Sequence, residues 1–242
     1  MSLAGHHEKT HDNIEVMRST RRDLARLATS LRQHLSYQAI MGLEWLPSKW
    51  ATTIKAQPES MDEIRVDLGE CIRCRLHSHR THIVFGEGNP SAKVVLVGEG
   101  PGREEDRMGR PFVGPAGKLL DRIIASMGWR RQEVYICNVI KCRPPKNRDP
   151  LPDEIEACGP FLRRQLQAIR PQAILALGSF AAQFLLSSQQ PISRLRNQVH
   201  QFEGIPVVPT YHPAYLLRNP LQKRQAWKDV QLLLSLLHKG DS

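Results

Sequence analysis

The run Gly98-Glu99-Gly100-Pro101-Gly102-Arg103-Glu104-Glu105-Asp106 follows the apolar stretch Val94 to Val97 and leads into Gly109-Arg110-Pro111-Phe112-Val113-Gly114. A buried strand, a sharp acidic turn and then an aromatic loop make the rim of an active site. Glycine after a β-branched run lets backbone approach a ligand, because the missing Cβ removes the usual steric barrier. Pro101 stiffens the turn. A phosphate-binding turn is the first alternative, but the third glycine of G-x-G-x-x-G is replaced by Arg103. Gly117-Lys118 is not a Walker lysine either, since Phe112 stands at the first glycine and Leu119 at the Ser or Thr. The carboxylates would repel a polyphosphate, so the turn suits a neutral ligand and a water.

Two further polar residues sit in comparable places. Asn138 lies within the apolar run Val134 to Ile140, and His212 follows Ile205 to Val208 in Pro209-Thr210-Tyr211-His212-Pro213. Taken singly each has a plain structural role: Asn138 satisfying backbone at a strand end, His212 a core histidine before a proline turn, Phe112 a core ring. Their shared location with Glu99 and Glu105 at one edge of a sheet argues for a common site.

Cys71 and Cys74 form a C-x2-C pair, and Cys142 and Cys158 bracket a basic loop and a helix start. Four thiolates suit zinc or an iron-sulfur cluster. The Lys141-Cys142-Arg143-Pro144-Pro145 context would offset a cluster's negative charge. Cys137, among apolar neighbours, reads as a buried thiol. Lys141, Arg143, Lys146 and Arg148 crowd one proline-broken loop, as phosphate contacts require.

The elements that must position these groups alternate. A helix carrying Ile64 and Leu68 precedes Cys71, a strand spans Lys93 to Val97, and a helix through Leu119, Leu120, Ile123, Ile124 and Met127 is closed by Gly128. Val134 to Ile140 is the second strand, a helix begins near Pro152, Ala173 to Leu177 is the third strand and Ile205 to Val208 the fourth. A last helix holds Trp227, Val230, Leu233, Leu234 and Leu237. Such alternation predicts an α/β fold with a parallel sheet covered on both faces and a ligand at the strands' carboxyl ends. Residues 1–60 read as a separate helical extension and linker, with Leu24, Leu27, Leu31 and Leu35 on a basic amphipathic helix; residues 61–242 form the main domain.

The 242 residues carry a net charge of +10, which favours an anionic partner such as nucleic acid. No apolar run reaches the roughly 18 residues of a membrane helix, and the first residues lack the apolar core of a signal peptide. A cytoplasmic protein with no membrane partner and no disulfides is expected, the five cysteines being an odd number.

The glycine-rich acidic turn, the Gly109 to Gly117 loop, Asn138-Val139-Ile140-Lys141-Cys142-Arg143-Pro144-Pro145, His212-Pro213 and the four-cysteine spacing together resemble the type-4 uracil-DNA glycosylases, over roughly residues 61–238. The resemblance implies a three-layer α/β/α fold with a four-stranded parallel sheet, a 4Fe-4S cluster on Cys71, Cys74, Cys142 and Cys158, and excision of uracil from single- or double-stranded DNA by a monomer in base excision repair. It implies that Phe112, as an exposed ring, stacks on the extruded uracil, that Asn138 reads the base edge, and that Glu105 crowds C5 against thymine's methyl. Glu99 would position the attacking water and His212 would donate to uracil O2, with Gly98 and Gly100 lining the base. DNA would be met by Lys141, Arg143, Lys146 and Arg148 and by the loop carrying Leu216, Leu217 and Arg218, one leucine acting as a wedge. A non-catalytic nucleic-acid module and a glycosylase for other damaged bases are the competing readings. Asn138 and Glu105 argue for uracil.

Overall fold

The structure, a computed structural model, describes residues 59–238. The amphipathic helix expected around Leu24 to Leu35 lies outside the described residues. Helix α1 (Met61–Leu68) starts at Ser60, whose hydroxyl accepts from the Glu63 backbone while the Glu63 carboxylate reaches back to the Ser60 amide, a reciprocal cap. Its buried residues Ile64 and Leu68 pack with Phe85 and Phe161.

The sheet is built from β1 (Glu87–Gly88), β2 (Val94–Gly98), β3 (Tyr135–Asn138), β4 (Ala173–Leu177), β5 (His200–Phe202) and β6 (Ile205–Thr210), in spatial order β1-β3-β2-β4-β6-β5. Strands β3, β2, β4 and β6 are parallel. They are the four expected strands. The expected four-stranded sheet is nevertheless too small, because β1 and β5 add an antiparallel strand at each edge. Both are too short to leave a periodic signal. The β5–β6 hairpin turns on Glu203 and Gly204, both at positive φ (48° and 84°), the backbone of a two-residue turn matched to strand twist.

Around the sheet run α2 (Arg103–Met108), α3 (Pro115–Ser126), α4 (Pro152–Ile169), α5 (Ser179–Leu186), α6 (Ile192–Leu195), α7 (Pro213–Arg218) and α8 (Lys223–His238). Alternate strand residues point to opposite faces. Val95, Val97, Ile174, Ala176 and Val207 pack with Leu162 and Leu166 of α4 and Ala181 and Leu185 of α5. Val94, Leu96, Leu175 and Val208 pack on the other face with Leu120 and Ile124 of α3 and Val230 and Leu233 of α8. Burial on both faces explains why β2 and β4 read as continuous apolar runs rather than alternating ones. The result is the expected three-layer arrangement.

The acidic stretch is not a turn throughout. Glu104, Glu105 and Asp106 occupy the first turn of α2, where carboxylates complement the helix dipole, and Gly109 at φ 67° ends the helix. No described helix is long and apolar enough to cross a membrane.

The carboxyl end of β6 is anchored by a buried ion pair. Asp229 of α8 accepts from Arg196 at 2.9 and 3.0 Å, from the Thr210 hydroxyl at 2.8 Å and from the Asn197 amide at 3.0 Å. Removing one member of such a pair strands the other charge. Asp229→Ala is therefore expected to lower unfolding free energy by about 3 to 5 kcal/mol, read as a shift in urea midpoint at constant slope. Wild-type stability in that variant would mean the pair is not holding β6.

Candidate active site

The four parallel strands end on the same side of the sheet, and the polar residues that follow them converge there. Glu99, Gly100, Gly102, Glu105, Phe112, Ala116, Asn138, Asn147, His212, Ala214, Tyr215 and Arg218 line one cavity of about 400 Å³. Glu99 comes just after β2, Asn138 closes β3, and His212 follows β6 as the residue before α7. Phe112 is delivered by the loop between α2 and α3. Chemistry sits at strand ends because only there does the polypeptide leave the apolar sandwich.

The register pairs Gly98 with Asn138 as last residues of adjacent strands. A Cβ on Gly98 would lie 2.4 Å from Asn138 Oδ1 and 2.6 Å from the Phe112 ring. Glycine is therefore required for the amide and the ring to close on the strand end. Gly98 itself sits behind the cavity rather than on its wall. Asn138 is buried, and its Oδ1 has no hydrogen-bond partner. A buried acceptor without a donor is rare in folded proteins and points to a ligand that supplies one.

Phe112, expected as an exposed ring, is only 6% exposed and belongs to the α3 and α8 side of the core, with its ring also forming cavity wall. Its backbone is held at φ 51°, unusual for an aromatic residue. Three contacts maintain it. Glu105 Oε1 accepts from the amides of Val113 and Gly114 at 2.9 and 2.8 Å, Arg131 donates to the Pro111 carbonyl at 2.5 Å, and Gly117 packs so closely that a Cβ would reach 1.9 Å from the Phe112 carbonyl oxygen. Glu105 thus lines the cavity and at the same time fixes the loop that carries the ring.

Burial drives Glu99 and His212 in opposite directions. Glu99 is raised to about 7, first by burial and then by the charge of Asp149. His212 is lowered to about 4, first by burial, then by the Arg218 cation, with Glu105 opposing. Both shifts favour the uncharged form. His212 Nδ1 accepts from the Ala214 amide at 3.1 Å, so the neutral ring carries its proton on Nε2. Its ring centroid lies 5.6 Å from that of Phe112. Gly178, at φ 94°, leaves room for it: a Cβ there would stand 2.9 Å from His212 Cβ.

The basic loop differs from expectation. Lys141 is wholly buried, its ammonium donating to the Asn138 carbonyl at 2.7 Å and to Gln165 Oε1 at 2.6 Å, so no phosphate can reach it. Arg148 is held by both oxygens of buried Glu154. Arg143 donates to Asn147 Oδ1 at 2.7 Å, and Lys146 is exposed. Within α7, Leu216 is 1% exposed and packs with Leu119 and Ala226, which removes it as a wedge. Leu217 is 39% exposed, and Leu221 beyond it 91%. Arg218 faces the cavity.

Asn147, Ala116 and Tyr215 were not foreseen. Asn147 reaches the cavity from a left-handed backbone position at φ 54°, for which proline-rich sequence offers no signal. Tyr215 has one: it stands three residues after His212, one helical turn away, and stacks on Tyr211 with centroids 5.0 Å apart.

Cys142 and Cys158 are buried, and Cys71 and Cys74 are partly so. Among the described residues, no group of three or more His, Cys, Asp or Glu side chains stands in a metal-binding arrangement. The four thiols still lie close enough to feel one another's charge. Three of the sulfurs accept N–H bonds: Cys71 from Arg73 at 3.5 Å, Cys142 from Arg80 at 3.6 Å and Cys158 from the Lys141 amide at 3.2 Å.

Comparison with known proteins agrees with this geometry. Residues 85–231 match the uracil DNA glycosylase superfamily. The chain is 47% identical over 189 residues to a type-4 uracil-DNA glycosylase of Archaeoglobus fulgidus, covering 75% of this chain and 95% of that one. It is 45% identical to the type-4 enzyme of Thermotoga maritima, over 75% of this chain and 96% of that one, and 41% identical to that of Sulfurisphaera tokodaii, over 74% and 85%. With most of each relative covered, and the polar residues of the strand ends gathered in one cavity, the chain belongs to the uracil DNA glycosylase superfamily, in its type-4 family.

Proposed function

We propose that this protein hydrolyses the N-glycosidic bond of uracil in DNA, releasing free uracil and leaving an abasic site, the opening step of base excision repair. The observation that carries this reading is the unpaired, buried Oδ1 of Asn138. Uracil presents an N3–H donor beside the O4 acceptor, and a carboxamide answers both, whereas cytosine offers the opposite pattern. A base can reach this cavity only outside the helical stack. Phe112 offers its ring for stacking, and Glu105 and Ala116 bound the remaining wall.

In the reaction the C1′–N1 bond breaks with its electron pair passing to uracil, a water oxygen bonds to C1′, and the water's proton is lost to a base. Neutral His212, with its proton on Nε2, is placed to donate to uracil O2 as that oxygen gains negative charge. A donor preset for a developing anion is worth about 2.7 to 4 kcal/mol. Glu99, once ionised, orients the water, takes up its proton and faces the positive charge that grows on the sugar. Arg143, Lys146 and Arg218 are the cations of the expected set left for phosphate, and Leu217 is the wedge. Strand choice is open to both single- and double-stranded DNA. One chain carries every group invoked, which supports a monomer.

Cys71, Cys74, Cys142 and Cys158 would hold a 4Fe-4S cluster. N–H donation to three of the sulfurs suits thiolates sharing the negative charge of a cluster. When bound, the cluster would tie the segment after α1 to the loop after β3 and to α4, and no step of the hydrolysis needs it.

Oligonucleotides carrying uracil, hypoxanthine, thymine opposite guanine, or no lesion test the reading directly. Alkali-revealed cleavage is expected at uracil, and cleavage of none of them would overturn the assignment. The pH profile tests Glu99. Because its pKa is raised, the carboxylate ionises only as pH climbs through about 7, so single-turnover rate should rise across that interval. Glu99→Gln should be slower and lack the limb, and an unchanged profile would remove Glu99 from the chemistry. Anaerobically purified protein should contain about four irons per chain; stoichiometric zinc without iron would exclude the cluster.

A further inference from the structure

Lys141 is a full-length amine buried where a hydrocarbon would fill the same space without desolvating a polar group. Its ammonium donates to the main-chain carbonyl of Asn138 and to Gln165 Oε1. Gln165, on α4 and equally buried, is aimed in turn: its Nε2 donates to the Phe85 carbonyl at 2.9 Å and the Tyr135 hydroxyl at 3.4 Å. The relay therefore runs from the core of the domain to a single carbonyl.

That carbonyl belongs to the peptide that joins Asn138 to Val139. The other edge of the same peptide is also held, because the Val139 N–H donates to the Gly98 carbonyl at 2.9 Å. Two bonds on opposite edges fix the plane of a planar unit. With the plane fixed, the Cα from which the Asn138 side chain springs is anchored, and Gly98, which leaves room for Oδ1 and the Phe112 ring together, sets where the carboxamide lies. Without Lys141 the strand-end peptide keeps one restraint and can tilt.

We propose that Lys141, backed by Gln165, is a positioning residue that holds Asn138 in the orientation that reads the base. The proposal rests on the assignment of Asn138 as the uracil-reading residue. A displacement near 1 Å of a substrate-positioning group costs on the order of 10²-fold in rate, which makes a conserved-volume change at Lys141 informative.

The test is a double-mutant cycle in the full chain with Lys141→Met, Asn138→Ala and the two combined. Single-turnover uracil release, inhibition by free uracil, melting temperature and iron content are measured on each. Lys141→Met alone should lower the rate by about 10-fold to 10²-fold and weaken inhibition by free uracil. Its bond to Cys158 comes from the main-chain N–H, which methionine keeps, so iron content should hold. In the Asn138→Ala background the same change should have almost no further effect, since a residue acting through Asn138 has nothing left to position. Wild-type rate in Lys141→Met, or the full loss repeated on top of Asn138→Ala, would overturn the proposal. Full uracil activity in Asn138→Ala would instead remove the base-reading assignment beneath it. If Lys141→Met does not fold, Lys141→Met with Gln165→Leu removes the buried Gln165 acceptor that the single change leaves unpaired, and carries the same cycle. Failure of both to fold would make Lys141 a core element only and end the proposal.

Discussion

Keeping a carboxamide oxygen buried and unbonded costs about 1 to 3 kcal/mol, and the site is arranged so that Asn138 cannot escape that cost by turning away. Gly98 lets it sit against β2, Phe112 closes the other side, and Lys141 and the Gly98 carbonyl hold its peptide. Relief comes only from a ligand with a donor at the right place. If Asn138 reads the base as proposed, selectivity for a base edge follows from that constraint more than from the number of groups in the cavity, because a site built to pair one polar atom rejects ligands that leave it unpaired.

Burial at the same site shifts two of its titratable groups. Glu99 is pushed up to about 7 and His212 down to about 4, so at neutral pH the histidine is an uncharged donor and the carboxylate is poised to change protonation state. One environment thereby shifts a carboxylate and an imidazole in opposite directions. Neither needs a partner of opposite charge. The acidic residue that does have fixed partners, Glu105, is used to hold the Phe112 loop.

Basic residues divide by burial. Lys141 serves the strand end, Arg148 is held by Glu154, Arg196 by Asp229, and Arg131 by Glu87 and Asp121 while also bonding to Pro111. Among the described residues, the number of basic side chains therefore overstates what is available to DNA. Among the described residues, the cations of the expected set that no carboxylate holds, Arg143, Lys146 and Arg218, are fewer than a count along the chain implies.

The glycine-rich turn, the amide within an apolar run and the histidine before proline were legible from sequence because each interrupts a hydrophobic pattern, and an interruption at a strand end has few structural explanations. The four parallel strands were legible for the same reason, each being long enough to register as a run. The edge strands were not, since two or three residues carry no period. Tertiary structure alone decided which way each side chain faces. Lys141 and Lys146 belong to one basic loop, as Leu216 and Leu217 are neighbours in one helix, yet one of each pair is buried and the other exposed. Side-chain direction depends on the packing of α4, α3 and α8 around them, a set of contacts between residues far apart in the chain, and charge or hydrophobicity at a single position does not encode it.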